Sequence, residues 1–140
     1  MYGLNEDGKE NILHFASENW LVSDRGSVYF NEPSHFFIAA IEDSIVVPID
    51  TAFLNKISEI SPVFNKNNNR LLHNHIRYLN RRVALLLGAS AERRYLDFIE
   101  LYPDVILRVP QWMVASYLGI TPESLSRVKR GLAEKNFGPR

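Results

Sequence analysis

Apolar and polar positions follow two different rhythms along this chain, and the change comes near residue 50. Before it the rhythm is one of short strands and turns. Asn5-Glu6-Asp7-Gly8 is a turn signature. Beyond it Ile12, His14 and Ala16 alternate with Leu13, Phe15 and Ser17, the two-residue repeat of a strand. Loops are expected at Asp24-Arg25-Gly26-Ser27 and Asn31-Glu32-Pro33-Ser34, and strands at 35–41 and 44–49 around a Glu42-Asp43 turn. About four short strands, with a turn every ~10 residues, predict part of an antiparallel jelly roll.

Helical spacing takes over at Thr51, which is placed to cap a short helix running to Ile57. Ser61-Pro62 reads as an N-cap followed by proline at the first helical position, opening a long helix to about Leu87. Within it Leu72, Ile76, Leu79, Val83 and Leu86 recur at alternating four- and three-residue steps, an a/d seam that calls for a partner. A homodimer is the leading reading of that seam, and packing inside one chain is the other. Gly88 is expected to end the helix in a left-handed conformation, and Ser90 to cap the next one, 91–102, before Pro103.

Residues 109–131 have the pattern helix, tight turn, helix. Pro110 suits a first turn, Gly119 a left-handed turn residue, Thr121 an N-cap and Pro122 the N1 position. Ala115 is small where two helices would cross. In the second helix Leu125, Val128 and Leu132 point inward by spacing, leaving Glu123, Ser126, Arg127 and Arg130 on the other side. The expectation is a helix-turn-helix that reads duplex DNA. Glu123 would accept from cytosine N4 and Arg127 would fork onto guanine, while Gln111, Thr121, Ser126, Lys129 and Arg130 hold phosphates.

Charge sharpens this picture. The 140 residues have a formal net charge of zero. Residues 1–65 nevertheless carry three basic and ten acidic side chains, and residues 66–140 carry thirteen basic and six acidic. A basic half is the electrostatic footprint of a nucleic-acid binder. With 46% apolar and 23% charged residues, the chain can build a core. It has no cysteine, which removes disulfides, thiol nucleophiles and thiolate metal sites. The polar, acidic first residues are unlike a signal peptide, and no apolar run approaches the ~18 residues of a membrane span, so a cytoplasmic location without membrane contact is expected. Phosphate loops, zinc-protease motifs and nucleophile elbows are missing, so an enzyme is not expected. His73 and His75 lie two apart and diverge on a helix, so no metal site is expected there. Trp20 and Trp112 read as core or interface aromatics.

At this point the chain resembles the Crp/Fnr superfamily of bacterial transcription regulators. Glu123-Ser124-Leu125-Ser126-Arg127 is similar to that family's Glu-Thr-Val-Ser-Arg core, and 90–96, Tyr102-Pro103, 108–111 and 116–123 are similar to one branch of it. Upstream, 5–10 resembles a β-roll hairpin, Glu42-Asp43-Ser44 a segment before the last strand, and 51–87 the dimer helix. The resemblance implies the base-reading roles of Glu123 and Arg127, a homodimer on a palindromic site, and RNA polymerase as a further partner. Pro122 stands where well-known members carry a second arginine. Ser34, His35 and Phe36 stand where nucleotide binders carry an Arg-Ser/Thr-Ala segment, so no tight cAMP or cGMP binding, no other cofactor and an unidentified effector are expected. Only about half of a roll's roughly eight strands is represented, which implies an N-terminally truncated sensor half. Residues 133–140 are too short for a wing hairpin and read as a frayed tail.

The expected fold class is thus α+β: a partial antiparallel β-roll over 1–50, a helical linker and dimerisation helix over 51–88, and a helix-turn-helix bundle over 89–140. The rival function is a protein-interaction module whose basic helical domain docks an acidic partner.

Overall fold

The structure, a computed structural model, describes residues 1–137, with side chains as far as Lys135. Among these the architecture is mixed. Strands β1 (Tyr2–Leu4), β2 (Glu10–Ile12) and β3 (Phe36–Phe37) form an antiparallel sheet in the order β2-β1-β3. The helices are α1 (Arg25–Phe30), α2 (Thr51–Ile60), α3 (Pro62–Gly88), α4 (Ala91–Leu101), α5 (Val105–Arg108), α6 (Gln111–Leu118) and α7 (Pro122–Phe137). No described helix is long and apolar enough to cross a membrane.

The chain forms two compact units. One joins Met1–Ile41 to the chain from Leu85 onward, and the other is Glu42–Ala84. The division differs from the one expected at residues 50 and 88, because the first strands share a core with the C-terminal helices. Ile12 and Phe15 are buried together with Phe98, Tyr102, Val105, Val114, Ala115, Tyr117, Leu118 and Leu125. The rings of Phe15, Phe98, Tyr102 and Tyr117 all touch one another, with centroids 5.2–5.9 Å apart. Each such pair adds about 0.5–1.5 kcal/mol beyond burial. Trp20 packs on Tyr102 at 5.6 Å, as an interface aromatic would.

A polar peg fixes the hairpin on the helices. Ser116 Oγ accepts from Ile12 N at 3.0 Å and donates to the Glu10 carbonyl at 3.3 Å. One α6 hydroxyl thus satisfies part of the β2 edge, backbone groups that on a bare edge strand would invite pairing with another chain. A second tie is the bidentate ion pair of Glu18 with Arg108, at 2.8 and 3.0 Å. The Arg108 guanidinium, helped by the Ser17 hydroxyl, lowers the Glu18 carboxyl to about 2. A folded value below the usual 4.5 means that the pair stabilises above that pH and is lost as pH falls from 4.5 towards 2. Glu18→Gln is therefore expected to flatten the acid limb of a melting-temperature profile across that window. An acid limb identical to the parent's would show that the pair contributes nothing.

Several expected elements differ. The strand foreseen from Ile12 onward stops at Ile12, and the one over 35–41 shrinks to two residues. Residues 44–49 form no strand, and Ile45, Val46 and Val47 are exposed. A continuous apolar run does not specify a strand unless a neighbour takes up its backbone groups. The loop foreseen at 24–27 instead starts α1, because the Asp24 side chain caps it by accepting from Gly26 and Ser27 N–H. Asp50, not Thr51, caps α2, accepting from Phe53 N at 2.7 Å, and α2 runs on to Ile60. Ser61 caps α3 as expected, accepting from Phe64 N at 3.2 Å. Gly88 is the last residue of α3 and is not left-handed; among the described glycines positive φ is found at Gly8 and at Gly119, the latter as expected. α7 continues through 133–137, where a frayed tail was expected, and 138–140 lie outside the described residues.

Candidate nucleic-acid interface

The C-terminal site grows from the turn between α6 and α7. Gly119 is left-handed, with φ 66° and ψ 38°. Its N–H reaches the Ser116 carbonyl at 3.0 Å, and Ile120 N–H reaches the Ala115 carbonyl at 3.0 Å. This pair of hydrogen bonds closes a helix C-terminus only when the turn residue takes φ > 0, which glycine does without a Cβ penalty. Arg94, from α4, adds a third ligand to the same end: its Nη1 donates to the Leu118 carbonyl at 2.5 Å. A cation at a helix C-terminus also meets the negative end of the dipole.

Thr121 then starts α7. Its Oγ1 accepts from Ser124 N at 3.2 Å, and its carbonyl from Leu125 N at 3.0 Å. Pro122 occupies the first helical position, where a missing N–H costs nothing. Leu125 is buried, and Val128 and Leu132 are half-buried, so the inward row follows the expected spacing. α7 packs against both α4 and α6, and Lys135 of α7 pairs with Glu92 of α4 at 2.8 Å.

The outward residues are placed as follows. Glu123, Ser126, Arg127, Lys129 and Arg130 are all exposed on α7, Glu123 and Arg127 in its first two turns. Arg127 Nη2 donates to Ser124 Oγ at 3.2 Å, which holds the guanidinium near the N-terminal end of α7. The Glu123 carboxyl lies below the usual range, held there by its own backbone N–H and then the Thr121 hydroxyl, with the Arg127 charge adding to both. It is an acceptor at neutral pH. Lys129 Nζ donates to Gln111 Oε1 at 3.1 Å, so two of the residues assigned to phosphate are brought together across α6 and α7. Thr121 caps α7 as its position predicts, and its hydroxyl also donates to Ser124 Oγ at 3.2 Å, so the phosphate contact expected of it falls on a group already engaged.

The seam residues form a separate feature. Leu72, Ile76, Leu79 and Val83 lie on α3 in the second unit, each more than a third exposed. Leu86 belongs to the first unit, where its Cδ2 would stand 3.3 Å from a Cβ placed on Gly119. It therefore packs beside its own chain's turn.

Three residues whose structural roles were not singled out from the sequence are Arg94 at this turn, and Ser116 and Arg108, which tie the N-terminal segment to the helices. Each works through a partner distant in the chain, and no local spacing marks it. An open groove of about 800 Å³ beside α4 and α5, lined by Tyr95, Ile99 and Ile106, reaches Gln111 and Lys129. Among the described residues no group of three acidic or histidine side chains could hold a metal ion. Compared with known proteins, the chain matches no family model, no curated protein and no solved structure.

Proposed function

We propose that this protein is a sequence-specific, DNA-binding transcriptional regulator of the Crp/Fnr type, acting as a homodimer on a palindromic site and without enzymatic activity. The observation that carries the reading is the sorting of α7. Its buried row is spent on α4 and α6, while an ionised carboxylate and a guanidinium stand exposed at its N-terminal end beside further cations. A recognition helix in a helix-turn-helix uses those N-terminal positions for base edges. Glu123 and Arg127 read bases, and Gln111, Ser126, Lys129 and Arg130 hold phosphates.

The exposed apolar row on α3 supports the dimer, since an unpartnered a/d seam is costly in water. Two α7 helices would then enter successive major grooves about 34–36 Å apart. A regulator that does not take a cyclic nucleotide is supported at Ser34, whose Oγ donates to the Asp24 carboxylate at 2.7 Å. An anion placed there would meet like charge. RNA polymerase is the natural further partner of such a regulator, and the cytoplasm its compartment.

Selection of bound duplexes from a random pool at two salt concentrations tests the reading. A palindromic consensus is expected, and enrichment of no sequence at all would sink it. Glu123→Ala should lose ~1–3 kcal/mol of discrimination at one base pair in each half-site while keeping most of the affinity. An equal loss on every sequence would remove Glu123 from base reading. Because its carboxyl sits below the usual range, that discrimination should not change between neutral and mildly acidic pH.

A further inference from the structure

The 27 residues of α3 contain neither aspartate nor glutamate. Its lysine and arginine side chains fall largely in one row: Lys66, Arg70, Arg77 and Arg81, with the His73 imidazole between them, follow one another at steps of four, three, four and four. That spacing keeps all five on one face, about 140° round the helix from the apolar row, at 3.6 residues per turn. All five are exposed. From Lys66 to Arg81 the row rises about 22 Å at ~1.5 Å per residue.

Helix stability does not account for this arrangement. Lys66 with Arg70, and Arg77 with Arg81, are like charges at i, i+4, which repel, and the sequence of α3 itself offers no acid at that spacing to offset them. Asn74 and Asn80, poor helix formers within about 60° of that row at 3.6 residues per turn, place side-chain amides beside it. A linear polyanion would relieve the repulsion and accept from both kinds of donor. A membrane surface fits less well. A helix lying in the interface buries its apolar face, and cations nearly opposite that face would be lifted away from the headgroups.

We infer that the Lys66–Arg70–His73–Arg77–Arg81 row of α3 is a second, sequence-independent binding surface for the phosphate backbone of duplex DNA. The choice of duplex DNA as the polyanion rests on the function proposed above; the row itself does not. Each cation that neutralises a phosphate releases a counterion, so the surface contributes affinity and salt dependence without base preference.

The test uses the full chain, labelled duplexes carrying the selected and an unrelated sequence, and anisotropy titrations over a range of salt. Exchanging Lys66, Arg70 and Arg77 together for glutamine keeps helix propensity close to the parent's. The log–log salt slope should become shallower by about 2.7 on both duplexes, three cations at about 0.9 each, with base preference unchanged. The charge-conserving triple exchange Lys66→Arg, Arg70→Lys and Arg77→Lys should restore the slope. A slope unchanged by neutralisation overturns the inference, and if base preference persists the α7 reading stands alone. A shallower slope in a chain without base preference leaves the α3 surface and removes the α7 reading. Failure to bind any duplex overturns both. Capture on phosphatidylserine–phosphatidylcholine vesicles that is lost with the same three exchanges, while the duplex slope stays put, overturns the DNA surface in favour of lipid.

Discussion

Replacing Phe98 with alanine is expected to lower stability by about 3–5 kcal/mol, the cost of emptying a large aromatic site in a packed core. Phe98 is 1% exposed and touches Phe15, Tyr102 and Tyr117 with its ring. No neighbour can swing in to fill the space, because the other three rings already lock one another in place. A loss of that size is a large share of the roughly 5–15 kcal/mol that holds a domain together. The effect should also be shared across the chain. Ile12 and Phe15 sit in the same core as the helices, so amide protection at β2 and in α6 should fall together. Denaturant midpoints and hydrogen exchange measure both effects. A loss below about 1 kcal/mol would mean that the ring is not packed as described. Release of the hairpin with α6 still protected would mean that the strands are not part of that core.

Gly119→Ala is the second large effect, at about 1–2 kcal/mol for putting a Cβ residue in the left-handed region. The new Cβ would also stand 3.3 Å from Leu86 Cδ2 and 3.4 Å from Arg94 Nη1. The Leu86 methyl can give way, but Arg94 is tied to the Leu118 carbonyl. The strain therefore falls on the turn that sets α7 against α6. Gly131→Ala provides the control with the opposite sign. Gly131 is helical, and a Cβ there meets nothing within 4 Å. Alanine is worth about 1 kcal/mol more than glycine in a helix interior, so this variant should be more stable than the parent. Thermal melting of the two variants side by side decides the matter. Equal shifts in the same direction would refute the conformational role of Gly119.

Legibility in the sequence followed the range of the interaction. Ser61, Ser90 and Thr121 were readable as caps because a cap bonds to an amide only two or three residues ahead. The long helix was readable from its four-three spacing, and the Gly119 turn from glycine between two apolar periods. Failures were of two kinds. Some local signals had rivals nearby: Asp50 outcompeted Thr51 as a cap, and Asp24 turned Arg-Gly-Ser into a helix start. Others asked for a partner that local spacing does not name. The apolar run at 44–49 has the composition of a strand, but no neighbouring strand pairs with it. Within the candidate interface, the outward set on α7 was legible because face follows from spacing. The Lys129–Gln111 contact and the Arg94 clamp were not.

The order of residues alone therefore determined where the main helices begin and turn, which face of α7 is apolar and how charge divides between the two halves. These properties depend on neighbours within one or two turns. Only the tertiary structure decided that the first strands belong to the same core as the last helices. The Ile12–Ser116 bond spans 104 residues of chain. Closing so long a loop costs entropy that grows only slowly with length, so no local pattern records the choice. It is made where Phe15 completes a cluster with Phe98, Tyr102 and Tyr117 that the helices alone leave open to water.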